Sequence, residues 1–183
     1  MKVKHSKLKG CFIIQPSVFE DQRGYFFESF NQERFNAVTG KDVKFIQDNE
    51  AKSTRGVLRG LHFQNPPFAQ AKLVRVIKGK VLDVAVDIRK DSPTYGMYQS
   101  VILSGNNKKQ FFVPRGFAHG YVVLSDSAIF SYKVDNVYSP VHDNGITWKD
   151  ETFNIDWKVE ESEIILSKKD ENLQCFEDFD SPF

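Results

Sequence analysis

Along most of this chain apolar residues fall in short runs, several strictly alternating with polar ones and separated by Gly, Pro and Asn. That pattern predicts strands over 43–49, 55–64, 72–78, 80–88, 98–104, 109–114, 119–124 and 128–135. Within 80–88, Leu82, Val84, Val86 and Ile88 share one face, and Asp83, Ala85 and Asp87 the other. Lys78-Gly79 predicts a tight hairpin joining 72–78 to 80–88. Upstream, 11–14 reads as a short strand and 16–24 as a loop ending in the turn Asp21-Gln22-Arg23-Gly24. Tyr25 to Phe30 reads as a strand with Phe26 and Glu28 on one face. One helix is expected over Gln32–Val38, capped by Asn31 and stopped at Gly40, with Phe30 and Phe35 as a hydrophobic staple. Beyond 140 the alternation lapses, and Trp148 and Trp157 are expected to pack a C-terminal tail back onto the strands. Many short strands with turn residues between them predict an all-β-dominated fold, a β-sandwich or jelly roll with a few short peripheral helices. No repeat, low-complexity linker or second domain interrupts it, so 1–183 reads as a single domain.

Composition narrows the function classes. Lys+Arg 25 against Asp+Glu 24 leaves a net charge of +1, so no overall field favours nucleic acid or an anionic membrane. No apolar run has the length of a membrane span, and Met1-Lys-Val-Lys-His5 lacks a signal peptide's apolar stretch. The two cysteines, Cys11 and Cys175, form no disulfide framework and lack metal-site spacing, which predicts a reduced, cytoplasmic location. The 17 Phe supply bulk suited to the interior of a β-sandwich.

Chemistry enters at Arg55-Gly-Val-Leu-Arg59-Gly60-Leu-His62-Phe-Gln64. Its apolar residues mark a core strand, yet it carries two arginines, two glycines and a histidine. Glycine within a strand marks a bulge or a close backbone approach. Arginine matches phosphate oxygens, and histidine exchanges a proton near neutral pH. The plain alternative is an edge strand with solvated charges. Strict alternation would put Arg59 and His62 on opposite faces; either the strand bulges at Gly60-Leu61, or Arg59 serves another part of the pocket.

Pro114-Arg-Gly116-Phe-Ala-His119 resembles the second motif of the cupin superfamily, whose fold is a small jelly roll. Where metal-binding cupins carry His-x-His, this chain has His62-Phe63-Gln64. Of its four histidines, His5 and His142 fall in a terminus and a loop, so a metal site is not expected. Further motifs follow one another in order: Asp21-x-Arg23-Gly-x-Phe26-x-Glu28, Gln47-Asp-Asn49, Arg55 to Gln64, Gln70-x-Lys72-Leu-Val-Arg75, Pro114 to Gly120 and Tyr132-Lys133. Together they resemble the dTDP-4-dehydrorhamnose 3,5-epimerase family over roughly residues 10–172.

The resemblance implies inversion of dTDP-4-dehydro-6-deoxy-D-glucose at carbons 3 and 5, beside its ketone, in dTDP-L-rhamnose synthesis, without metal or other cofactor. Such chemistry needs a base, a cation or donor for the enolate oxygen, and an acid on the opposite face. By the resemblance His62 is the base, Asp170 orients it, Lys72 stabilises the enolate and Tyr132 returns the proton. Asp83 is a rival for Asp170's role, and Ser167-Lys-Lys-Asp170 also reads as a helix cap. The alternative for Tyr132 is a side chain that fills the barrel with its hydroxyl bonded. Arg23, Arg59 and His119 match family positions around the diphosphate and sugar. Glu28, Gln47 and Asn49, with Phe26 and Tyr138 as aromatic cover, match positions around thymidine and phosphates. Asp143 and Lys169 fall at further contact positions, whereas Arg75 and Arg115 read as surface or interface charges. A homodimer whose N-terminal strands cross to the partner is expected. Two other readings share the motifs: an epimerase inverting only one carbon of a related dTDP-keto-sugar, and a non-catalytic sugar-nucleotide-binding cupin.

Overall fold

Alternation gives the central strands an apolar face, as over Lys72–Lys78, Lys80–Asp87 and Phe117–Val123, and two sheets must share those faces. The computed structural model covers residues 1–183. In chain order its strands are β1 (Lys2–His5), β2 (Phe12–Gln15), β3 (Phe19–Asp21), β4 (Gly24–Phe26), β5 (Gln47–Thr54), β6 (Leu58–Gln64), β7 (Lys72–Lys78), β8 (Lys80–Asp87), β9 (Tyr98–Ser104), β10 (Gln110–Val113), β11 (Phe117–Val123), β12 (Ser127–Val134) and β13 (Asp143–Gly145). Helix α1 (Gln32–Thr39) lies between β4 and β5, and 3-10 turns stand at Glu161–Glu163 and Asp170–Asn172. A six-stranded sheet runs β1-β2-β10-β7-β12-β5 and a five-stranded sheet β13-β6-β11-β8-β9, all antiparallel. This is the expected jelly-roll sandwich. No helix is long and apolar enough to cross a membrane.

Three apolar clusters fill it. Between the sheets lie Val74, Val76, Phe111 and Phe130 from the six-stranded sheet, against Val81, Ala85, Leu103 and Val123 from the other. The outer face of the five-stranded sheet (Leu58, Leu61, Phe63, Leu82, Val84, Val86) is roofed by the C-terminal tail through Ile146, Phe153, Trp157 and Phe179. Trp157 Nε1 donates to the Trp148 carbonyl at 2.9 Å, so the two tryptophans do pin the tail. The third cluster sets Phe35 of α1 on Phe12, Ile14, Leu73 and Phe112. Asn31 Oδ1 accepts from Arg34 N at 3.0 Å, Gly40 ends the helix at φ 63°, and the Phe30 and Phe35 rings lie 6.2 Å apart, as the sequence predicts.

Strand β8 is buried along nearly its whole length because both its faces are covered. Leu82, Val84 and Val86 meet the tail, while Asp83, Ala85 and Asp87 point between the sheets. The expected hairpin at Lys78-Gly79 does not form. β7 pairs with β10 and β12, and β8 with β11 and β9, so the chain changes sheets at Gly79. A Cβ there would stand 2.1 Å from the Ser127 carbonyl oxygen, and its φ is 82°, which is why glycine occupies the corner. Two upstream strands also shift. The expected strand 43–49 begins at Gln47 and runs on to Thr54, where it pairs along all of β12. The expected strand 25–30 shrinks to Gly24–Phe26, paired with Phe19–Asp21 of the supposed loop in a small hairpin off the body.

Candidate active site

At one end of the sandwich the apolar filling between the sheets gives way to polar side chains around a cavity of about 340 Å³. Alternation along each strand decides who reaches it. β6 contributes Arg59, His62 and Gln64; β7 contributes Lys72; β11 contributes His119 and Tyr121; β12 contributes Phe130 and Tyr132. Tyr138, Asp143 at the start of β13, Ser167, Lys169 and Asp170 close it from the chain that follows β12.

Arg59 and His62 lie three residues apart yet both face inward. On β11 the pairing jumps from His119↔His62 to Tyr121↔Arg59, so β6 spends one extra residue there. The strand therefore bulges at Gly60-Leu61, the first of the two expected alternatives. A Cβ on Gly60 would stand 2.6 Å from Gly120 Cα and 2.8 Å from the His119 carbonyl oxygen, and its φ is 128°. Only glycine permits that approach.

Asp170 Oδ1 lies 2.7 Å from His62 Nε2. Burial alone would raise this carboxyl, but the contact with His62 and the hydrogen bond from Ser167 outweigh it and hold Asp170 below the usual carboxylate range. Ser167 Oγ donates to Asp170 Oδ2 at 2.9 Å and accepts from its backbone N–H at 3.2 Å. The capping motif and the contact with His62 are thus both present in the same residue. The rival carboxylate, Asp83, is fully buried against His119 Nε2, at 2.9 and 3.1 Å. Burial pushes its pKa up, opposed by His119 and Lys72.

The facing wall differs in kind. Lys72 has no carboxylate within ion-pair distance, and loss of solvent draws its ammonium from 10.5 down to about 8 against the pull of Asp143 and Asp83. Tyr132 is pushed above its ordinary 10.0 by burial and then by the neighbouring Tyr121, so its phenol holds its proton firmly. Arg59 is a second cation without an ion-pair partner, braced by Ser53 Oγ at 3.3 Å from its Nε. Asp143, by contrast, is engaged by Tyr138 Oη at 2.8 Å and by Lys169 Nζ.

The structure therefore brings together His62, Asp170, Lys72, Tyr132, Arg59, His119, Tyr138, Asp143 and Lys169. It leaves out five other expected residues. Arg23 and Phe26 sit on the β3–β4 hairpin, away from the cavity, with Phe26 71% exposed. Glu28 is paired with Arg34 at 3.2 Å. Gln47 and Asn49 lie further along β5 on the same side as Ala51, which does line the cavity, and are joined to each other at 2.9 Å. Sequence reasoning missed Tyr121, which stacks on Phe130 at 4.1 Å between centroids. Its signal was the inward parity of 117, 119 and 121. It also missed Gln64, Gln70 and Ser167 as lining residues.

His62 stands on the five-stranded sheet, and Lys72 and Tyr132 on the six-stranded sheet opposite. A carboxylate-held imidazole faces a protonated phenol and an unpaired ammonium across one small cavity. Fold and site define an acid–base enzyme built in a jelly roll. Residues 5–178 match the family model described as dTDP-4-dehydrorhamnose 3,5-epimerase, and the chain belongs to that family. It is 52% identical over 180 residues to the dTDP-4-dehydrorhamnose 3,5-epimerase of Shigella flexneri, covering 98% of each chain. The crystal structure of the enzyme of that name from Elizabethkingia anophelis superposes with a TM-score of 0.94 at 52% identity, covering 97% of each chain. The dTDP-6-deoxy-D-glucose-3,5-epimerase of Legionella pneumophila, solved in complex with dTDP-4-keto-L-rhamnose, superposes with a TM-score of 0.94 at 44% identity, covering 98% of this chain and 94% of that one.

Proposed function

We propose that this protein inverts dTDP-4-dehydro-6-deoxy-D-glucose at carbons 3 and 5 to give dTDP-4-dehydro-L-rhamnose, with base and acid on opposite walls of the cavity. The observation that carries the reading is that placement: inversion requires a proton to leave one face of a carbon and another to arrive on the other. His62 takes the proton beside the C4 ketone, and Asp170 holds the ring and stabilises the imidazolium. The electron pair moves to the ketone oxygen, where Lys72 meets the developing charge. Tyr132 then gives its phenolic proton to the carbon from the opposite side, and solvent exchange restores both groups. Arg59 supplies unpaired positive charge for the diphosphate, and His119, held by Asp83, flanks the sugar.

We place the reaction in the cytoplasm and expect it to need no metal or other cofactor, because His62, Lys72 and Tyr132 supply the base, the enolate's cation and the acid that the proton transfers call for. No three His, Cys, Asp or Glu side chains converge here as a metal would require. Activity should survive prolonged EDTA; loss on chelation with recovery on Zn, Fe or Mn would overturn this.

The working unit is a homodimer in which Arg23, Phe26 and Glu28 serve the partner's cavity. Support comes from the hairpin, which holds Phe19, Tyr25 and Phe26 at 66%, 56% and 71% exposure on a single protomer. Sedimentation at assay concentration checks it, and a fully active monomer would refute it.

Heavy water tests the division of labour. Parent enzyme should place deuterium at both carbons 3 and 5. His62→Asn should lose exchange and inversion together, by ~10²-fold or more. Tyr132→Phe keeps the base and the Lys72 charge, so deuterium should enter with retained configuration faster than product forms. A Tyr132→Phe enzyme that inverts both carbons at nearly the parent rate would remove Tyr132 from the mechanism.

A further inference from the structure

Gln64 lies two residues beyond the base on β6, at the position where metal-binding cupins carry the second histidine of His-x-His. It is 5% exposed. Its amide is consumed by backbone groups of two separate loops. Nε2 donates to the Phe68 carbonyl at 2.7 Å and to the Val137 carbonyl at 3.1 Å, while Oε1 accepts from Ser139 N at 2.7 Å. Those loops, 65–71 and 135–142, form one rim of the cavity. Outer bonds join them again: Gln70 Nε2 to the Asn136 carbonyl at 2.8 Å, and Asn136 Nδ2 to the Pro67 carbonyl at 3.1 Å. The second loop presents Tyr138, whose hydroxyl reaches Asp143.

We propose that Gln64 is a positioning residue, a clasp that fastens both rim loops to the strand bearing the base and so sets the affinity for the nucleotide part of the substrate. Only a neutral amide offers two donors and an acceptor in this geometry. A glutamate has no donor when ionised, and a histidine cannot present three such bonds. Because both ends of the amide are taken, Gln64 is not free to ligate a metal. The inference rests on the nucleotide-sugar reading above, since it assigns the rim to the nucleotide.

The test compares parent, Gln64→Met and Gln64→Glu. Met keeps the length and loses all three bonds; Glu keeps the acceptor toward Ser139 N–H and loses both donors. Calorimetry with dTDP should show binding weakened roughly 10- to 100-fold in Gln64→Met, with Gln64→Glu between it and the parent. Turnover at saturating substrate should stay within about threefold of parent, the loss falling on KM. Exchange of the Ser139 amide proton, read by NMR, should be much faster in Gln64→Met and remain slow in Gln64→Glu. Unchanged dTDP affinity in both variants, or a loss confined to kcat, would overturn the assignment. A parent protein with no affinity for dTDP would sink the nucleotide reading and this role with it; the Ser139 exchange would still decide whether the clasp exists.

Discussion

Lys72 is held in the cavity wall as a charge the fold would rather not have. Its proton leaves at about pH 8, against 10.5 for an ordinary lysine, because burial strips its solvent and no carboxylate sits close enough to compensate. The unfolded chain therefore binds this proton more tightly than the folded protein does. Below about pH 8 the charge costs stability in full, and the cost fades as pH rises toward 10.5. The same charge is what an enolate oxygen needs. Lys72→Met should lower kcat/KM by ~10²–10³-fold, and should also raise the thermal midpoint by a few degrees. Calorimetric melting beside initial rates checks both, and a lowered midpoint would mean that Lys72 is better compensated than its surroundings indicate. In the parent, turnover should fall as pH climbs through about 8, as the ammonium is lost.

Among the elements, β6 shows what alternation can and cannot convey. A glycine within a strand pattern announced that something departs from regular pairing, and the register shift opposite His119 and Tyr121 is that departure. Gly60→Ala should cost on the order of 3 kcal/mol or more, since the new methyl meets backbone on β11 at a positive φ. A parent-like urea midpoint for that variant would mean β6 pairs regularly. Along β8 the faces were legible: Leu82, Val84 and Val86 do separate from Asp83 and Ala85. Sheet membership was not, because period two tells a residue its side and not its neighbour strand. Hence Lys78-Gly79 read as a hairpin when it is a crossing between sheets. The helix was readable at both ends because Asn31 and Gly40 act locally. Gln64 could be noted in sequence only as a missing histidine, since its three partners lie on loops four to seventy-five residues away.

For the whole molecule, the sandwich and the tail pinned by Trp157 followed from composition and pattern, and the motif resemblance picked out most of the residues that meet in the cavity. What one chain could not reveal is where its hairpin belongs. Lys108 Nζ sits 3.8 Å over the Tyr25 ring, and Gln110 Nε2 donates to the Ser29 carbonyl at 2.6 Å, so the base of the hairpin is anchored while its tip projects. If that tip completes a neighbour's cavity, each site is assembled from two polypeptides, and its defects become separable by inheritance. A chain with His62→Asn retains a sound hairpin, and a chain with Arg23→Ala retains a sound base. Neither homodimer turns over well, yet a mixed dimer owns one site in which both parts are sound. Refolding the two inactive variants together at equal amounts should therefore regenerate about a quarter of parental activity, half the dimers being mixed and half their sites intact. If the hairpin served its own chain, every site in the mixture would carry one lesion, and mixing would restore nothing.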